Sequence, residues 1–269
     1  MAEQRLSGCF HIASSRRTLG IAACSLAYVL GGMILISAPA RAQQKVLTVG
    51  AATFPSSLQT GVASFTSESL ILQTYDPLGI RDNEGNFVPA LAESWESKSD
   101  TVWRFHLRKG VKWHDGKEFT AEDVKFTIDR VIDPQTAYGY LGRIGQVSGA
   151  TVVDPYTVDI STKAVFPILS KGLADIAIEA KHYYDEVGAE VPKRKPMGTG
   201  PFIAANWVPG DRYELTANKN YWRGAPKVDK LVIRQIPEAA TRIAALISGE
   251  VQILEDAPVD AIADTESSQ

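Results

Sequence analysis

"WRFHLRKGVKWHDGKEFTAEDVKFTIDR", residues 103–130, carries three signals in order. Trp103, Phe105 and Leu107 alternate with Arg104, His106 and Arg108. That period of two predicts a half-buried strand over 102–108. Lys109-Gly110 and Asp115-Gly116 then mark turns, because glycine reaches positive φ without a Cβ clash. Thr120 precedes Ala121-Glu122-Asp123, where a threonine oxygen can take a free backbone N–H and two acids face the positive end of a helix dipole. Ala121, Val124, Ile128 and Val131 are spaced for one apolar face, so a helix starts after residue 120. The stretch thus reads as strand, turns and helix in succession.

The same stretch poses a chemical question, since His114 lies among Asp115, Glu118, Glu122 and Asp123. A zinc centre would need three ligands at tight spacing, such as two histidines one helical turn apart. His106, His114 and His182 form no such pair, and the turn and the helix start already employ most of the carboxylates. The expectation is therefore no metal, no cofactor and no catalytic residue. The rival reading is a secreted hydrolase using His114 with Asp115 or Glu118, but the chain has no "GxSxG" nucleophile elbow.

Of the 269 residues 22% are charged and 45% hydrophobic, an ordinary globular composition. Residues 1–42 stand apart. They carry Arg16-Arg17, run apolar from Leu19 to Ala38 and end in Ala40-Arg41-Ala42, a small-x-small cleavage pattern. They read as a signal peptide cleaved after Ala42, exported by the general secretory or the twin-arginine route. An uncleaved anchor or lipidation at Cys24 are the weaker alternatives. Without this segment the formal charge moves from −3 to −6, and both cysteines, Cys9 and Cys24, are gone. Nothing then remains for a disulfide framework, and the acidic balance argues against nucleic acid.

Outward from the central stretch, "KVLTVGAA" (45–52) predicts a buried strand, and "SESLILQTY" (67–75) a helix. "RDNEGNF" reads as a hairpin loop, and "TVVDPYTVDIS" as two strands around Asp154-Pro155. "VFPILSKGLADIAI" predicts a buried helix or a helix running into a strand. After the turn-rich "VPKRKPMGTGPF", strands are expected in "FIAANW", "RYELTAN" and "DKLVIRQI". A helix in "EAATRIAALIS" is ended by Gly249, and a strand comes next in "EVQIL". The tryptophans Trp95, Trp103, Trp113, Trp207 and Trp222 are expected in the core.

The central stretch, with "LAESW" (91–95) before it and "MGTGPF" (197–202) and "NKNYWRGAPKVDKLVIRQIPEAATRIAALISGEV" (218–251) after it, resembles the family 5 extracellular solute-binding proteins. These are the oligopeptide-, dipeptide- and nickel-type binding components of ABC importers. The resemblance implies an α/β fold, a periplasmic binding protein type II-like lobe with an inserted smaller α+β subdomain. It assigns residues 43–77 and 192–269 to the first lobe and 78–191 to the inserted subdomain, and implies that the second lobe is missing. It implies a periplasmic monomer that takes peptides or similar small solutes and docks on ABC permease subunits. A chain limited to one lobe, whether a fragment or a truncated product, is expected to bind weakly or not at all.

Carried over position by position, the resemblance implies ligand contacts at Phe65 and Thr66 in the loop after the first strand, and at Tyr138, Tyr140 and Asp175. Leu58-Gln59-Thr60 stands where relatives often carry Leu-Asp-Pro. Ile176 stands near the arginine of the nickel-type branch, which weakens a nickel reading.

Overall fold

A computed structural model describes residues 44–61, 69–136, 138–255 and 257. The β-branched run gives Val46–Ala51 (β1). Gly79–Arg81 (β2) and Phe87–Pro89 (β3) close the polar loop as a hairpin, with Gly85 at φ 80° in its turn. Ala92–Ser99 (β4) and Val102–Leu107 (β5) form the next hairpin. Beyond Gly110 (φ 74°) and Gly116 (φ 88°) a capping box opens Ala121–Ile132 (α1): the Asp123 carboxylate accepts the Thr120 backbone N–H at 3.0 Å. Ala121, Val124, Ile128 and Val131 are all buried, as their spacing predicts.

Val147–Asp154 (β6) and Thr157–Thr162 (β7) pair around Asp154, whose Oδ1 accepts the Tyr156 N–H at 2.8 Å. Two short helices come next, Leu169–Leu173 (α2) and Lys181–Val187 (α3). The last block holds Phe202–Val208 (β8), Arg212–Ala217 (β9), Lys230–Gln235 (β10), Ala239–Ile247 (α4) and Ile253–Leu254 (β11). Gly249, at φ 76°, stops the chain from continuing α4.

Two larger sheets result. The antiparallel β4-β5-β7-β6 sheet uses strands close in sequence. Phe105, Val158 and Ile160 pack there with Val124, Ile128 and Trp113 in one core. On the opposite face Arg104 grips Asp159, its cross-strand neighbour, through bonds of 2.7 and 2.8 Å. The mixed β11-β1-β10-β9-β8 sheet draws on both ends of the described chain. β1 runs parallel to β10, with Val46 opposite Lys230 and Ala51 opposite Gln235. Leu58, Tyr213, Leu215 and Ile233 fill its core.

Three expectations need amending. Within 67–75 the described residues are helical only over 69–71, because the chain turns at Thr74, where Gly198 and Gly200 abut its backbone. A Cβ at Gly198 would fall 1.8 Å from the Thr74 carbonyl oxygen. "VFPILSKGLADIAI" gives the short α2 and then a single bridge, Ala177 to Pro77. "EVQIL" gives only Ile253–Leu254, which pairs with Val49–Gly50. Among the tryptophans Trp113 is buried, and Trp95, Trp103, Trp207 and Trp222 are half-buried against the cores. Among the described residues no helix is long and apolar enough to cross a membrane.

Candidate functional site

The parallel strands β1 and β10 end side by side, and in open α/β folds the carboxyl ends of such strands face the ligand. The loop leaving β1 there is pinned before it goes further. The Leu58 N–H donates to the Lys193 carbonyl at 2.8 Å, and the Gln59 N–H to Ser57 Oγ at 3.1 Å. Leu58, Gln59 and Thr60 are all buried. The "Leu-Gln-Thr" that departs from the expected family triplet is therefore a packed turn.

Thr60 leads to a buried carboxylate. Its Oγ1 lies 3.3 Å from Glu179 Oε1 and 3.1 Å from the Tyr138 hydroxyl. Glu179 is 1% exposed and also accepts from the Tyr184 hydroxyl at 2.7 Å and from Arg130 Nε at 3.0 Å. Its own N–H donates to Thr127 Oγ1 at 2.9 Å. The Arg130 guanidinium stands 4.4 Å over the Tyr184 ring. A charge this deep survives only when paired and fully hydrogen-bonded, which is what these donors supply. Burial, with Glu179 beside them, holds the Tyr138 and Tyr184 hydroxyls far above the ordinary tyrosine range, so both remain donors.

Of the five expected ligand contacts, Phe65 and Thr66 lie outside the described residues. The other three join in one chain of contacts. Tyr138 and Tyr140 are buried, with ring centroids 5.9 Å apart. The Arg143 guanidinium lies 5.0 Å over Tyr140 and pairs with Asp175 at 3.1 Å. Asp175 also pairs with Arg81 at 2.7 Å. Glu179 and Arg130 were not singled out by sequence, and Thr60 only as part of the departing triplet. The signal was faint: a lone glutamate after "ADIAI" reads as a solvated acid, and its partners come from distant segments.

His114, Asp115, Glu118 and Asp123 are likewise engaged. The His114 N–H donates to the Gly198 carbonyl and its Nε2 to the Gly200 carbonyl, both at 3.0 Å. Asp115 pairs not with His114 but with His182, at 2.8 Å. Burial raises the Asp115 carboxyl, and the Lys117 N–H and His182 together outweigh this and hold it below the usual range. Glu118 accepts from the Tyr156 hydroxyl at 2.5 Å, and Asp123 from Trp113 Nε1 at 3.3 Å. The hydrolase pairing of His114 with Asp115 or Glu118 is thus not formed. A second buried acid, Asp76, accepts from Thr199 Oγ1, the Tyr221 hydroxyl and Trp222 Nε1 at 2.8, 2.9 and 2.9 Å. No group of three or more metal-ligating side chains gathers among the described residues.

Comparison with known proteins agrees with this architecture. A family model described as "Bacterial extracellular solute-binding proteins, family 5 Middle" matches residues 86–269. The dipeptide-binding protein of Escherichia coli is 36% identical over 191 residues, 62% of this chain and 36% of that protein. A Brucella ovis relative is 31% identical over 236 residues, 84% of this chain and 45% of its own length. The chain thus spans about half the length, or less, of these curated relatives. Among solved structures, the periplasmic binding protein DppA of Helicobacter pylori, in complex with the peptide STSA, superposes with a TM-score of 0.76. It is 27% identical, and the match covers 83% of this chain and 49% of that one.

Proposed function

This chain belongs to the family 5 bacterial extracellular solute-binding proteins, and on that premise we propose that it serves an ABC importer by capturing peptides or similar small solutes. In this reading the protein does no bond chemistry. It offers a preformed surface that closes on the solute, and the closed form docks on the permease. We assign residues 43–77 and 192–269 to one lobe and 78–191 to an inserted subdomain. Export to the periplasm with cleavage after Ala42, and action as a monomer, complete the proposal.

The observation that carries it is the match in fold to a binding protein holding a peptide. The polar groups support the same reading: His114, Asp115, Glu118 and Asp123 each hold a structural partner rather than each other as an acid–base pair. Phe65 and Thr66 would meet the solute directly. Tyr138, Tyr140 and Asp175 would back that loop from the subdomain.

Native mass spectrometry of the protein taken from its own periplasm, without refolding, tests this. The expected spectrum shows an N-terminus at Gln43 and, on gentle collisional activation, loss of a weakly held peptide-class molecule. Retention of residues 1–42, or peptide cleavage that disappears in His114→Ala, would overturn it.

A further inference from the structure

We infer that Glu179 is a positioning residue for the loop after β1, holding Thr60-Gly61 against Tyr138 and so setting how the proposed ligand loop leaves the sheet. The inference rests on the binding function proposed above. It concerns a residue that makes no direct contact with solute.

Four other points of the chain converge on this carboxylate or its relay: Thr60 after β1, Arg130 at the end of α1, Tyr138 beyond it, and Tyr184 on α3. The proton inventory fixes the direction of the relay. Thr60 has one hydroxyl proton, and a carboxylate can only accept, so that proton goes to Glu179. Tyr138 must then donate to Thr60.

Backbone contacts place the loop at the same spot. The Gly139 N–H donates to the Gly61 carbonyl at 2.7 Å. Gly61 has φ +73°, and a Cβ there would lie 2.1 Å from the Tyr138 ring, so the loop backbone rests directly on that ring. The hydrogen-bonded Tyr138 therefore acts as the seat of the loop.

A buried pair such as Arg130–Glu179 gives little net stability over well-packed apolar residues, and fixing register is its best-attested use. Here the element whose register it fixes is Leu58–Gly61, the last described stretch before Val62.

Hydrogen exchange on the full chain tests the inference without any ligand. Glu179→Gln keeps the side-chain shape but removes the charge, and Thr60→Val removes only the relayed hydroxyl. Both are expected to speed exchange over residues 56–61 by about tenfold, with amides of β5 and β7 unchanged. Unchanged loop exchange in both variants would overturn the inference. So would an equal rise in β5 and β7, which would make Glu179 a general core group. If Glu179→Gln does not fold, Thr60→Val decides alone. Adding dialanine to the wild-type chain addresses the other reading separately: failure to protect residues 56–61 counts against dipeptide capture there and leaves the positioning result standing.

Discussion

The two sheets reach stability by different routes. The β4-β5-β7-β6 sheet lies within residues 92–162, and its β4-β5 and β6-β7 hairpins close through short turns. Its widest pairing, β5 with β7, joins Val102 to Ser161, so its contacts form at lower cost in loop entropy than pairings across most of the chain. The five-stranded sheet must bring β1 to β10, and the Lys45 N–H meets Asp229 Oδ2 across 184 positions at 3.1 Å. The local sheet sits on one continuous core. The long-range sheet has two clefts of about 330 Å³ along it. One is apolar between Val49, Leu70, Ile233 and Leu254, and the other lies between Arg194, Lys195 and Trp207. The region assembled by local contacts works as scaffold. The region assembled over distance carries the proposed ligand loop and both of these clefts.

The largest effect should come from striking the scaffold. Phe105 is fully buried between β4 and β7, with the Trp95 ring stacked 6.4 Å away. Phe105→Ala should cost about 3–5 kcal/mol, read from urea denaturation. If the sheets are separate cooperative units, hydrogen exchange will rise in 92–162 and leave β1 and β10 protected. Equal loss in both would mean that the two sheets unfold together as one unit, and scaffold and binding region would not be separable.

A smaller effect should appear at the seam. Asp76 binds Thr199, Tyr221 and Trp222, and its carbonyl accepts the Ile178 N–H at 3.0 Å, so it ties the 78–191 segment to the 199–222 segment. Asp76→Asn keeps one acceptor oxygen for three donors and should lose about 2 kcal/mol. The loss should reach amides of both sheets. Confinement to one sheet would show that Asp76 does not couple them.

Legibility in the sequence divides along the same line. The 103–130 stretch was legible because its determinants are neighbours: alternation in Trp103–Leu107, glycine at 110 and 116, and the Thr120–Asp123 cap all act within a few residues. The turn at Thr74 was not legible, because it is set by Gly198 and Gly200, more than a hundred positions away. Asp76 and Glu179 were missed for a related reason. Nothing local distinguishes a solvated acid from one whose donors arrive from distant segments. Tyr138, Tyr140 and Asp175 came from family likeness, which could bring them together in one place without saying that each would already hold a partner.

The smallest expected effect is one of pH, at the latch between the central turn and residues 198–200. A carbonyl only accepts, so His114 must carry its proton on Nε2 to reach Gly200. Its Nδ1 is buried and meets no partner among the described residues. Burial pushes the imidazole below its ordinary 6.5, and the Gly200 bond and the nearby Asp76 and Asp115 charges only partly oppose this. The unfolded chain therefore takes up this proton near pH 6.5 and the folded chain only at lower pH. His114 thus contributes stability that is complete above 6.5 and declines as pH falls through that value. Asp123 works in the opposite sense, since burial raises its carboxyl above 3.8 and its proton uptake favours the fold as acidity increases. His114→Gln can place an amide N–H where Nε2 stood and has no proton to gain. Its stability should stay level from pH 6.5 to about 5.5, while that of the wild type declines. Parallel curves for the two proteins would remove His114 as the cause and leave the latch a purely geometric one.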